Sequence, residues 1–115
     1  MKNQLPTPVE VFRHDHAEVW EAFTQLAERC HNAGPLDEKS RRFVKLALAI
    51  GAGLEGATHS AVRQALEAGI PPEEIRHAAI LAISTLGFPA AMRALTWIDD
   101  GLSASGGAIP RMAGG

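Results

Sequence analysis

The stretch LEGATHSAVRQALEAGIPPEEIRHAAILA, Leu54 to Ala82, decides the fold. Leu54, Ala57, Thr58, Ala61, Ala65 and Ala68 lie on one arc at helical spacing, while Ser60, Arg63, Gln64 and Glu67 form a polar arc. Gly69 stands where such a helix ends, because glycine takes the left-handed backbone conformation without strain. In Ile70-Pro71-Pro72-Glu73-Glu74 the prolines stop one helix and open the next, and two acids fall near its positive end. These residues dictate two helices joined by a tight break.

The same reading extends outward in both directions. Thr7-Pro8-Val9-Glu10 is a capping box that opens a first helix, whose apolar residues Val11, Val19, Trp20, Phe23 and Leu26 recur at helical spacing to about Cys30. Asn32-Ala33-Gly34-Pro35 breaks it. Asp37 caps a second helix, Glu38 to Ile50, and the quoted stretch supplies the third. The fourth runs from the prolines to about Leu86. It is apolar on most faces, through Ile75, Ala78, Ala79, Ile80, Leu81, Ala82, Ile83 and Leu86, so a buried helix is expected. After Gly87-Phe88-Pro89 a fifth helix runs from Ala90 to about Leu102. No segment alternates as a strand does. The expectation is all-α: a small bundle of about five helices forming one domain over residues 1–104, followed by a flexible Gly-rich tail, 105–115. So much apolar helix in so short a chain also implies faces buried between subunits, hence a homo-oligomer.

Composition narrows the function classes. The chain has 115 residues and a formal net charge of −2, which gives no bulk attraction to a phosphate backbone. The segment ALEAGIPPEEIRHAAILA mimics a helix–turn–helix, yet its second helix offers only Arg76 and His77 for a groove. No nucleic-acid partner is expected. No apolar run reaches the ~20 residues of a membrane span, and the N-terminus lacks a secretory layout, so the expected location is cytoplasmic. Cys30 is the single cysteine, which leaves no pair for a disulfide or a dithiol centre within one chain.

The run LALAIGAGLEGATHSAVRQALEAGIPPEEIRHAAILAISTLGFPAAMRAL, Leu46 to Leu95, resembles the carboxymuconolactone decarboxylase-like superfamily, which includes the alkyl hydroperoxidase D-like proteins. The resemblance rests on the apolar helix with its small-residue break, on ALEAG followed by EEI, and on the closing GFPAA. It implies a helical bundle of the alkyl hydroperoxidase D-like type, assembled as a trimer or hexamer. Redox members carry a CxxC pair and a histidine one turn later. Their positions fall on Leu54, Ala57 and Ala61 here, and the relay glutamate of the preceding helix falls on Arg42. Thiol peroxidase chemistry needs a thiolate and a resolving partner. The resemblance therefore implies a branch without that activity. The decarboxylase branch carries its histidine at the Ala61 position, and His59 lies about 200° around the helix from it.

Glu55 and His59 remain the candidate site. At about 100° per residue they share one narrow face with Val62 and Leu66, at the edge of the apolar arc. Three chemistries suit this spacing. The pair can be a structural hydrogen bond. It can be an acid/base couple in an interface pocket, with Glu55 orienting the imidazole and His59 moving the proton. It can also supply two ligands to a divalent metal ion, the others coming from His14, Asp15, His16 or a second subunit. His14 and His16, two residues apart on a helix, point away from each other. His77 reads as a core or interface histidine. Together these readings give a small-molecule enzyme of acid/base or metal-assisted type. The rival is a non-catalytic oligomeric binding or scaffold protein that kept the fold.

Overall fold

The computed structural model describes residues 7–104. The expected tail, 105–115, lies outside the described residues. The described residues form seven helical segments and no strand. The all-α class holds, and the five expected helices become seven because two of them break.

The described residues divide into two compact units, 7–35 and 36–104, with the boundary at the Asn32–Pro35 break. The first unit contains α1 (Pro8–Asp15) and α2 (Ala17–His31). The capping box forms as read: Glu10 N–H donates to Thr7 Oγ1 at 3.1 Å and Thr7 N–H to Glu10 Oε1 at 3.0 Å. The single first helix is corrected here. His16 leaves helical geometry at φ −132° and ψ 58°, with its ring 5.0 Å from that of Phe12. His14-Asp15-His16 contains neither glycine nor proline, so periodicity alone runs straight through the break. Neither helix has a buried residue, and Val19, Phe23 and Leu26 are more than half exposed.

The second unit packs α3 (Glu38–Ala52), α4 (Glu55–Glu67), α5 (Pro72–Leu81), α6 (Ile83–Leu86) and α7 (Phe88–Ala104). Asp37 caps α3 by accepting from Ser40 N–H at 2.8 Å, and this bond holds its carboxyl below the usual range. Both α3 and α4 end in a paired 6→1 and 5→2 hydrogen-bond motif at a left-handed glycine. At Gly53 (φ 70°), Leu54 N–H reaches Ala49 O and Gly53 N–H reaches Ile50 O. At Gly69 (φ 86°), Ile70 N–H reaches Ala65 O and Gly69 N–H reaches Leu66 O. These two glycines fix the turns that bring α4 between α3 and α7.

Leu46 and Ile50 of α3, Val62 and Ala65 of α4, Ile75 and Ala79 of α5, and Ala94, Ile98 and Leu102 of α7 form the core. The fourth expected helix is interrupted at Ala82, and it is not buried all round. Ile75, Ala79 and Ala82 face the core, while Ile80, Leu81, Ile83 and Leu86 are exposed in the chain. The buried side of α5 packs against α7, α3 and α4, and Ile80 and Leu81 on its other side are exposed among the described residues.

Candidate functional site

Glu55 opens α4 in its first turn, and His59 follows on the same face. Glu55 is exposed and His59 half-buried. No hydrogen bond or ion pair joins them: His59 Nε2 is shielded from solvent and has no partner. Such a nitrogen loses its water without gaining a replacement, a cost that a folded chain ordinarily avoids.

The His59 ring instead faces a hollow of about 380 Å³ lined by Arg63, Asp100, Gly101 and Ala104. The helix places Arg63 there by recurrence, four residues after His59. Asp100 and Gly101 arrive from α7, and Gly101 matters for the approach. A Cβ built on it would lie 3.0 Å from Val62 Cγ1, so the bare glycine lets α7 close on α4 beside His59. The hollow thus combines a cation, an anion and an unsatisfied imidazole.

A polar chain leads to its rim. Arg63 Nη2 donates to Ser60 Oγ at 3.3 Å, and Gln64 Nε2 donates to the same oxygen at 3.5 Å. Gln64 Oε1 accepts from Arg42 Nη1 at 2.7 Å, and Arg42 Nε donates to Glu38 Oε2 at 2.6 Å. The Ser60 contacts are long and weak, whereas those of Arg42 are short and charge-assisted. Arg42, which the resemblance set against the superfamily's relay glutamate, therefore ties α3 to α4.

The three other positions singled out by the resemblance diverge. Leu54 and Ala57 are exposed at the start of α4, and Ala61 is packed in the core cluster. On α7, Asp99 turns away from the hollow and accepts from Arg76 Nη1 at 3.3 Å. Burial pushes its carboxyl above the ordinary value of 3.8; Arg76 pulls it back in part and Asp100 adds to the rise.

The remaining candidates are elsewhere. His14 Nδ1 pairs with Asp15 Oδ1 at 3.0 Å and is exposed, as is Cys30. His77, read as a core or interface histidine, is exposed on α5 and lines a larger groove. Among the described residues no three His, Cys, Asp or Glu side chains gather as a metal-binding group, and no helix is long and apolar enough to cross a membrane. The sequence reading missed Asp100 as a lining residue, since only the tertiary fold brings α7 to this face. Arg63 carried a usable signal, the same four-residue spacing that picked out Glu55.

Comparison with known proteins adds one match. The family model described as Carboxymuconolactone decarboxylase family covers residues 17–100, which include α2 to α6, most of α7, and His59, Arg63 and Asp100 of the hollow. No curated protein and no solved structure matches the chain.

Proposed function

The chain belongs to the carboxymuconolactone decarboxylase family, and we propose that it is a small-molecule enzyme of acid/base type working at His59. The observation that carries this reading is His59, which lines a hollow together with Arg63 and Asp100 and whose Nε2, shielded from solvent, has no partner. A turn of the ring toward the hollow would let a substrate atom give the nitrogen the hydrogen bond it lacks. His59 exchanges a proton with the substrate, and Arg63 holds a carboxylate. Glu55, one turn earlier on the same face, is unbonded to the imidazole in the single chain and would orient it only after turning toward it. Carboxymuconolactone, the molecule in the family's name, bears both a carboxylate and a lactone carbonyl. Carboxylated lactones are accordingly the substrate class to test.

The metal-assisted form of this reading uses Glu55 and His59 as two ligands. It takes the others from a second copy, because the described residues gather no third ligand. A homo-oligomer suits both forms: Val44, Leu48, Ile80 and Phe88 are large apolar side chains left exposed in the single chain.

The test is turnover of carboxylated lactones by the wild type, His59→Gln and Arg63→Gln. The expected result is a loss in kcat of about 10²–10⁴-fold for His59→Gln, the usual worth of a positioned acid/base group. Arg63→Gln should act mainly on KM. Wild-type turnover that survives His59→Gln would overturn the assignment. A non-catalytic oligomeric protein is the second reading, favoured by the aliphatic residues at Leu54, Ala57 and Ala61. It expects no turnover by any of the three proteins.

A further inference from the structure

A groove of about 560 Å³ opens between α3 and the α5–α6 segment, and it shares no residue with the His59 hollow. Phe43, Ala47 and Ile50 form one wall, at spacings that keep them on one face of α3. Leu81 and Leu86 form the other, with Ala82 buried at the base. Its size and its apolar lining, broken by a few polar groups, match those of small-molecule sites.

The polar groups determine the occupant. Glu74 is held by Lys39 Nζ at 2.7 Å, which leaves its second carboxylate oxygen able to accept another hydrogen bond. His77, one turn along α5, has no protein partner among the described residues and can donate or accept. Thr85 commits its hydroxyl proton to Leu81 O at 3.3 Å and retains only acceptor capacity toward the groove. A ligand carboxylate would find no lysine or arginine among the residues lining the groove, since Lys39 is already engaged by Glu74, and would give up its water without a full counter-charge, which is unfavourable. A hydroxyl can donate to the carboxylate or to Thr85 and accept from His77.

We propose that this groove binds a neutral, alcohol-headed small molecule. Its alkyl or aryl body lies against Phe43, Ala47, Ile50 and Leu81, and its hydroxyl lies toward Glu74 and His77. The site is separate from the proposed catalytic hollow and stands whether or not His59 is catalytic.

The test is a titration of the full chain with octanol and, in parallel, with octanoate, followed by amide NMR shifts. Ala47→Trp serves as a groove-filling variant, since Ala47 is exposed and a larger side chain there does not crowd the core. Octanol should produce saturable shifts at Phe43, Ala47, Ala78 and Leu81, with octanoate weaker by about tenfold or more. Ala47→Trp should weaken octanol by a similar factor. The octanol-to-octanoate ratio is read on the wild type and so does not depend on that variant folding. Equal binding of the two probes, shifts mapping elsewhere, or no saturation would overturn the proposal. So would an Ala47→Trp protein that loses self-association while octanol has no effect, because the groove would then be a face between copies.

Discussion

Gly101 of α7 rests directly on Val62 of α4, so closely that a Cβ at position 101 would sit 3.0 Å from Val62 Cγ1 and 3.3 Å from Val62 Cβ. Val62 is fully buried and cannot retreat without disturbing the core. Gly101→Ala should therefore destabilise the protein by about 1–3 kcal/mol in urea unfolding, the usual cost of overpacking. In the double variant with Val62→Ala the new methyl gains room. The two changes together should cost about 1 kcal/mol less than their sum. Strict additivity would mean that the helices are further apart than described.

Arg42 and Gln64 make the shortest side-chain bond between α3 and α4 among those described, at 2.7 Å. A double-mutant cycle of Arg42→Ala and Gln64→Ala should give a coupling of about 1 kcal/mol. Arg42→Ala should not alter chemistry at His59, since Arg42 holds no place in the hollow. Loss of turnover in Arg42→Ala with stability unchanged would assign it a role in the reaction.

His59 carries an unpaired polar atom away from water, so a side chain without that atom should be tolerated better. His59→Leu is expected to raise stability by about 1 kcal/mol, measured by urea midpoint, while removing any binding in the hollow. A loss of stability would instead identify His59 as a structural residue.

Two aspartates should give acid-range stability slopes of opposite sign. Native Asp99 holds its proton more tightly than the unfolded chain does, because burial raises it above 3.8. Stability therefore falls as pH rises from about that value through the raised native one. Asp37 behaves in reverse: its native value is lowered by Ser40, so its contribution is present above 3.8 and is lost as pH falls through the lowered value. Asp99→Asn should abolish the first slope and leave the second. Urea midpoints collected across the acid range measure both.

Local signals in the sequence carried most of the helical architecture. The Thr7 box, the Asp37 cap and the glycine end at Gly69 each depend on one or two residues with a specific backbone role, and such roles are legible in a string. The break at His16 and the one at Ala82 were not, because neither contains a residue that forbids a helix. The burial of α5 was overestimated for a related reason: an apolar pattern says what could be covered, not whether one chain supplies the cover. At the site, the helix face bearing Glu55 and His59 was readable from spacing. The lack of a bond between them was not, and neither was the arrival of Asp100, which follows from how α7 packs on α4.

The central claim is that His59 moves a proton on a bound substrate. The most direct measurement is uptake of deuterium from D2O into the carbon beside the carbonyl of a carboxylated lactone, in the presence of wild-type protein and of folded His59→Gln. The account predicts uptake with the wild type and its loss in the variant. Equal uptake with both proteins, or none with either, would contradict it.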